Sequence, residues 1–235
     1  MKRIPIALVI SAAAVVSAVA GDNNGAFLIQ VSPEGSYQGN TLSIDQSGAS
    51  DSLVRGIGSQ LIGTLPTLVL GAVAGSDPTF ATQRGEANHA TIKMTGNGGE
   101  LQVLQRNFVV APFLPTQAGG GNTASLTTTG DALGGLIQVG NGNTANMTLD
   151  NGATGLIAQW GTSLSATLDV ASNGSGTVVQ IGNNSSVGTV SVLSGNTVTY
   201  TQIGSNLAPG VSPQIYSTVP GSITITQTAF GTRLD

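Results

Sequence analysis

Apolar and polar residues alternate along most of this chain, in short segments that each end on a glutamine. Two positions before that glutamine the residue is apolar in six copies: Ile44, Leu136, Ile157, Val178, Tyr200 and Ile225. Because alternate residues of a β-strand face the same side, these side chains share a face with their glutamine. The pattern predicts a strand before each glutamine, with its apolar positions and its amide on the inward face.

A second alternating segment follows each glutamine after a short polar turn. Small residues stand seven positions after it, at Ala90, Ala124, Ala145, Ala166 and Val187, and larger apolar ones nine positions after it, at Ile92, Leu126, Met147 and Leu168. This period of two predicts a second inward-facing strand. The turns are rich in Gly and Asn, which tolerate positive φ angles. Each unit is therefore expected to run strand, turn, strand, turn.

The units recur at a near-constant step. Five copies of Gln-x-Gly begin at residues 117, 138, 159, 180 and 202, at intervals of 21, 21, 21 and 22 residues. Units this short cannot bury an apolar face alone and must stack on one another. We therefore expect an all-β fold, a β-solenoid of strand-turn-strand repeats with cross-β spacing between layers.

Identical amides stacked at that spacing can hydrogen-bond along the stacking axis and satisfy one another. The predicted structural ladder consists of Gln46, Gln83, Gln105, Gln117, Gln138, Gln159, Gln180, Gln202 and Gln227, with Asn88, Asn122 and Asn143. The predicted turn glycines are Gly85, Gly119, Gly140, Gly161, Gly182 and Gly204.

Three stretches do not fit the repeat, namely residues 61–80, 106–116 and 207–221. Each contains proline, which cannot donate to a strand ladder, so we expect looped inserts. For the apolar part of the first insert, Leu61 to Ala74, we favour an extra strand pair packed on the stack. The alternative is contact with a membrane, a secretion pore or a neighbouring subunit. Trp160 follows a ladder glutamine directly and is expected to point outward.

The N-terminal segment has the features of a secretory signal peptide. A basic start is followed by an apolar run from Ile4 to Val19 and a small-residue site that ends at Ala20. We expect residues 1–20 to be cleaved between Ala20 and Gly21 and to lie outside the fold, an uncleaved N-terminal helix being the alternative. No later apolar stretch reaches the roughly 20 residues of a membrane-spanning helix.

Composition narrows the function further. Removing Lys2 and Arg3 leaves five basic and eleven acidic residues, a net charge of 5 − 11 = −6, so no nucleic-acid partner is expected. The chain has no cysteine, so disulfides cannot stabilise it after export. Aromatic residues make up only 4% of the chain, which leaves backbone ladders and stacked side chains to hold it together.

Catalytic and metal-binding chemistry finds little support. His89 is the only histidine, and neither a cysteine nor a tight carboxylate cluster accompanies it, so no enzyme, metal or cofactor is expected. The Gly-Gly-x-Gly-x-Asp register of calcium-binding repeats does not occur. Asp131, Asp150 and Asp169 stand at different offsets from their glutamines and are expected to be solvated turn residues, or gatekeepers against premature aggregation.

The full unit reads Gln83-x-Gly85-x-x-Asn88-x-Ala90, and it recurs in the same form from Gln117 and from Gln138. It closely resembles the curlin repeat of curli fibre subunits over most of residues 40–230. One departure is clear. Curlin repeats usually carry a second glutamine four residues after the alanine, and this chain has other residues at those positions: Met94, Thr128, Leu149, Val170 and Ser191.

The resemblance implies a structural subunit of an extracellular functional amyloid fibre of the bacterial cell surface, serving adhesion and the biofilm matrix. It implies a secretion-targeting segment at residues 21–39 and a repeat domain at 40–235. The implied partners are copies of the same chain, a second curlin-type subunit and the curli secretion channel.

Two other classes of function stay open. A non-polymerising secreted β-solenoid, acting as an adhesin or an ice- or glycan-binding module, would need a flat exposed array of one residue type. In the sequence, Thr127, Thr128, Thr129 and Thr148 do not form a regular array. A secreted enzyme on a β-helix would need clustered carboxylates, and the sequence has no such cluster.

Overall fold

The described residues of the protein form two parallel β-sheets with almost no helix. The computed structural model describes residues 6–11, 15–20, 22–31, 39–58, 61, 78–106, 121–207, 214–215 and 220–229. Sheet A contains β1 (Ile6–Ser11), β3 (Gly25–Val31), β5 (Leu53–Arg55), β6 (Ala81–Arg84), β8 (Glu100–Arg106), β10 (Leu133–Asn141), β12 (Thr154–Thr162), β14 (Ser175–Asn183), β16 (Thr197–Gly204) and β18 (Ser222–Ala229). Sheet B contains β2 (Val15–Ala20), β4 (Thr41–Ser50), β7 (His89–Asn97), β9 (Thr123–Thr129), β11 (Thr144–Leu149), β13 (Ser165–Val170), β15 (Ser186–Val192) and β17 (Gln214–Ile215). The prediction of an all-β fold is confirmed.

The chain passes alternately between the two sheets, so that one strand of each sheet forms a layer. Each strand pairs in parallel with the strand of the next layer, as when β10 pairs β12 and β12 pairs β14. The register places identical residues over one another, for example Gln138 over Gln159 and Ala145 over Ala166. Spacing in the sequence thus becomes columns of like side chains that run across the sheets.

The main core lies between the sheets. It collects the inward residues of both, such as Leu136 and Ile157 from sheet A and Met147 and Leu168 from sheet B. Burying an aliphatic side chain of this size stabilises a fold by about 1.5–3 kcal/mol. The strict alternation of buried and exposed residues in β11, buried at Ala145, Met147 and Leu149, explains why one face of sheet B stays accessible.

A second apolar cluster covers the outer face of sheet A. It consists of Ile57, Leu104, Ile137, Val139, Leu156, Ala158 and Val179. Trp160 points outward as expected, but it is partly buried against this cluster. Leu61 lies on the same face, since a Cβ added at Gly135 would be 2.4 Å from its Cδ1 atom. The central strands of sheet A are therefore buried on both faces.

The first predicted insert interrupts one layer of sheet A. The short strands β5 and β6 both lie between β3 and β8 and share the place that a single strand takes elsewhere. The chain leaves the sheet after Arg55 and re-enters at Ala81. Residues 62–77, 107–120, 208–213 and 216–219, which include most of the three predicted inserts, lie outside the described residues.

The N-terminal region departs from the expectation. The segment predicted to be cleaved was expected to lie outside the fold, yet β1 pairs with β3 and β2 pairs with β4. Residues 21–39 were expected to lack the repeat, yet they contain β3, which carries Gln30 in the glutamine column. Their pattern, Ala26-x-Leu28-x-Gln30, was missed because no glycine follows two residues later. No helix among the described residues is long and apolar enough to cross a membrane.

Candidate functional site: the amide ladders and the ends of the sheets

Eight glutamines form one continuous hydrogen-bonded ladder along the inner face of sheet A. Each Nε2 atom donates to the Oε1 atom of the next glutamine, over distances between 2.5 and 3.1 Å. The members in order are Gln30, Gln83, Gln105, Gln138, Gln159, Gln180, Gln202 and Gln227. Every donor points toward the C-terminal end of the stack, so the ladder is polar.

The same amides also join the two sheets. The Nε2 atom of Gln138 donates to the carbonyl of Thr123 at 3.1 Å, and that of Gln159 to the carbonyl of Thr144 at 3.0 Å. Both amide protons are therefore used inside the protein, where these side chains are almost completely buried. A buried amide left without a partner costs about 1–3 kcal/mol. The stability of each glutamine therefore depends both on the next glutamine of sheet A and on the carbonyl of sheet B that it binds.

A second ladder, of asparagines, runs in the opposite direction where the chain crosses to sheet B. The backbone N and Nδ2 atoms of Asn88 donate to Oδ1 of Asn40 at 3.1 and 3.0 Å, and Asn122 repeats both bonds to Asn88. The backbone N of Asn143 continues to Oδ1 of Asn122 at 3.2 Å. The column ends where Leu164 N donates to Asn143 Oδ1. Asn40 was not predicted, although its spacing to Leu42 and Ile44 matches that of Asn88 to Ala90 and Ile92.

Two predicted ladder glutamines, Gln117 and Gln46, are not among the eight members of the described ladder. Gln105 donates directly to Gln138 at 2.7 Å, which leaves no layer between them for Gln117. Gln117 and its glycine, Gly119, lie outside the described residues. Asn122, which follows Gln117 by five residues, belongs to the same layer as Gln105.

Gln46 lies in sheet B and takes no part in the glutamine ladder. Its Nε2 atom contacts Ser52 Oγ at 2.9 Å and Met94 Sδ at 3.6 Å. Counting from Asn40, it holds the position that Met94 holds in the next layer. The alternation before Gln46 was read correctly as a strand, but alternation alone does not tell which sheet a strand joins.

The glycines after the ladder allow the layers to approach closely. Gly140, Gly161 and Gly182 have φ angles of 121°, 146° and 137°. A Cβ added to any of them would be 1.6–1.8 Å from the carbonyl oxygen of the glycine in the next layer. Gly204 and Gly85 also have positive φ angles, of 136° and 108°. A side chain does not fit at Gly140, Gly161 or Gly182, where another described layer follows, and the last described layer has Ala229 in this column.

The two ends of the glutamine ladder are chemically complementary. At the N-terminal end, Gln30 is 0% exposed and its Oε1 atom has no hydrogen-bond partner. At the C-terminal end, Gln227 Oε1 accepts from Gln202 and from the Tyr200 hydroxyl, while no bond from its Nε2 atom is found among the described residues. One end thus holds an unused acceptor and the other an unused donor.

The inward-facing residues of the last strand of sheet A are also partly exposed to solvent. Ile223, Ile225 and Gln227 are half-buried, whereas their register partners Val198, Tyr200 and Gln202 are buried. Burial raises the pKa of Tyr200. The inward face of β18 is therefore an open edge with the same residue pattern as the layers beneath it.

The outer face of sheet B carries hydroxyl side chains in register. Thr123 lies beside Thr144 and Thr127 beside Thr148, while Thr128 is buried in the core. The same column also contains other residue types, since Lys93 lies beside Thr127 and Asp169 beside Thr148. The face is a mixed polar surface and not an array of one residue type.

Charged groups lie apart from the ladders. Hydrogen bonds from the Ser47 hydroxyl and backbone N, with the charge of Lys93, hold the pKa of Asp45 below its usual value. Arg55 Nε lies 2.7 Å from Glu100 Oε1. His89 is the exposed first residue of β7. Within the described residues no three His, Cys, Asp or Glu side chains are grouped to hold a metal ion.

The candidate site therefore consists of the stacked amides and of the two complementary ends of the glutamine ladder. No protein-family model, no curated protein and no solved structure matches the chain.

Proposed function

We propose that this chain is a curlin-like β-solenoid, in which each layer is one coil, and that it is a structural subunit of an extracellular amyloid fibre. The coils of one copy stack on those of the next and extend the same two sheets. The single observation that carries the proposal is the complementarity of the ladder ends, with an unpaired acceptor on Gln30 and an open donor on Gln227. A ladder of one polarity can continue only head to tail.

The apolar positions support the same arrangement. If β18 of one copy pairs with β3 of the next in the register of the internal layers, Ile223 meets Ala26, Ile225 meets Leu28 and Gln227 meets Gln30. An open strand edge with unpaired N–H and C=O groups is a template for another chain. A head-to-tail contact that does not close on itself produces a filament.

Export, location and partners follow from the resemblance and belong to the proposal. Cleavage after Ala20 would make β3 and β4 the N-terminal layer of the mature chain. The mature chain would cross the outer membrane through a curli-type secretion channel, which residues 21–39 would engage. At the cell surface it would join copies of itself and a second curlin-type subunit, in fibres that serve adhesion and biofilm cohesion.

The test is assembly of purified residues 21–235 released from denaturant, followed by thioflavin-T fluorescence and electron microscopy. We expect fibres after a lag phase, and loss or long delay of fibres when Gln138, Gln159 and Gln180 are all changed to Ala. A matched control changes the exposed Ser125, Asn146 and Ser165 of sheet B to Ala, which leaves the ladder intact. A stable soluble monomer in all three would support the non-polymerising binding module instead.

A further inference from the structure

We propose that strands β1 and β2 act as a built-in cap on the N-terminal end of the stack, and that cleavage after Ala20 opens this end for assembly. The inference rests on the proposed function, because it concerns the surface on which the next copy would stack. It assigns to the leader segment an interaction with the folded chain in addition to export.

The segment imitates a complete layer. Strand β1 pairs with β3 from Ile6 opposite Ala26 to Ser11 opposite Val31, and β2 pairs with β4 from Val15 opposite Thr41 to Ala20 opposite Gln46. Both sheets are therefore extended at once, in parallel and without a register shift. These are the same strand edges that a second copy would need, so the leader and a second copy exclude one another.

The leader follows the core columns with apolar residues. Ile6, Leu8 and Ile10 take the register positions over Ala26, Leu28 and Gln30. The segment thus places its larger apolar residues at the register positions that apolar residues and the glutamine hold in the repeat. Leu28 and Gln30, on the strand that β1 pairs with, are both 0% exposed.

The leader differs from a repeat layer at the position of the glutamine ladder. Ile10 stands at the register position of the glutamine ladder, and isoleucine carries no amide. Gln30 Oε1 consequently has no hydrogen-bond donor although the residue is fully buried. A true layer, with glutamine at this position, would make the missing bond. The cap is therefore a weaker occupant than another copy, and covalent attachment is what favours it.

The predicted cleavage site lies at the end of the paired segment. Ala20 is the last residue of β2, and the bond to Gly21 follows it directly. While this bond is intact, the leader competes for β3 and β4 as an intramolecular strand pair, at a high effective concentration. After cleavage that advantage is lost. A chain that has not been exported and processed thus has a closed N-terminal end.

A chain with a capped N-terminal end still has an open C-terminal end. It can bind the N-terminal end of a growing fibre through β18, but it then presents its own capped end and stops growth there. We therefore expect purified 1–235 to form no fibres by itself, and to act as a chain terminator on 21–235. A small fraction of 1–235 mixed with 21–235 should slow elongation from seeds and block growth at the fibre end that presents β3 and β4.

The experiment compares seeded growth of 21–235 alone with growth in the presence of 1–235, by thioflavin-T and by single-fibre fluorescence imaging. Two matched variants of 1–235 test the cap itself: Leu8→Pro with Ala18→Pro, which breaks both strands, and a scrambled order of residues 4–19 with the same composition. Both should restore growth at both ends.

Equal growth of 1–235 and 21–235 would overturn the cap. So would equal inhibition by the native and scrambled leaders, since that would indicate general hydrophobic aggregation. Failure of 21–235 itself to form fibres would instead count against the proposed function, so the two ideas fail by different results.

Discussion

Gln159 donates its Nε2 proton to Oε1 of Gln180 at 2.8 Å, between two neighbouring strands of sheet A that pair in parallel with these two glutamines in register. Each such bond satisfies one donor and one acceptor in the interior, so that a change at one glutamine affects both neighbours. The stability of the stack should therefore depend on this column far more than on any exposed row.

Replacing Gln159 by leucine should destabilise the protein markedly. Leucine fills most of the volume, but it leaves Gln138 without its acceptor and Gln180 without its donor. Each unpaired buried group costs about 1–3 kcal/mol. Urea unfolding of freshly refolded monomer, followed by circular dichroism, measures the loss. The exposed Ser165→Ala is the control, and a loss as small as that of the control would contradict the ladder's role.

Among substitutions that add one methyl group, Gly161→Ala should be one of the most destabilising. The φ angle of Gly161 is 146° and the added Cβ would be 1.6 Å from the Gly182 carbonyl oxygen. Backbone strain alone costs about 1–3 kcal/mol, and the layers must also separate. Gly142→Ala is a matched control, since its φ angle is also positive but its nearest neighbour, Ser163 Oγ, is 3.7 Å away. Equal thermal unfolding midpoints for the two variants would show that the layers are not closely packed here.

Thr128→Val should stabilise the protein. Thr128 is buried between Met94 and Leu149 in the register of sheet B, and its hydroxyl has no hydrogen-bond partner. Replacing an unpaired buried hydroxyl by a methyl group removes a desolvation cost of about 1–3 kcal/mol. The same change at Thr127, on the outer face, should have little effect. Denaturant midpoints for both variants check the prediction, and a loss of stability in Thr128→Val would contradict it.

Alkaline pH should loosen the C-terminal layer. Burial raises the pKa of Tyr200 above its ordinary value of 10.0, so folding favours the neutral phenol. This contribution is complete below pH 10 and is lost as the pH rises through the raised value. The hydrogen-exchange protection factors of β16 and β18, which are corrected for the base catalysis of exchange itself, should therefore fall above pH 10 in the native protein. Tyr200→Phe should lack that fall, although it loses the 2.9 Å bond to Gln227 at every pH.

The repeat pattern was sufficient to predict the fold class and most of the ladder. Regular steps of 21 or 22 residues place Gln138, Gln159, Gln180 and Gln202 in one column, since each step is one layer. The steps were uninformative where inserts intervene, because Gln105 and Gln138 are neighbours despite being 33 residues apart. Periodicity counts residues along the chain and cannot detect a segment that leaves a layer and returns.

Other differences have local causes. Ser191 stands four residues after Val187 and was grouped with Val170 on that spacing. The structure places Val192 beside Val170 instead, because the pairing of β13 and β15 shifts in register. Gly188 lies within β15 at a φ angle of 65°, where the extra residue is accommodated. The second apolar cluster on sheet A was not predicted, since its residues occupy positions that alternation assigns to solvent. Only the packing of distant segments reveals that this face is covered.

The most direct test of head-to-tail stacking is site-specific cross-linking, which is clean because the chain contains no native cysteine. In the proposed register, Thr226 of one copy lies beside Ile29 of the next, both on the outer face of sheet A. Paired strands are about 4.7–4.9 Å apart, within the range of about 4.4–6.8 Å that a disulfide spans. We mix 21–235 carrying Thr226→Cys with 21–235 carrying Ile29→Cys, assemble them and oxidise.

The account predicts a disulfide-linked dimer between the two variants in fibres, and much less when Thr226→Cys is mixed with Val31→Cys, which is out of register by two residues. Fibres that cross-link Thr226→Cys mainly to itself, or equally to both partners, would contradict head-to-tail stacking through the ladder ends.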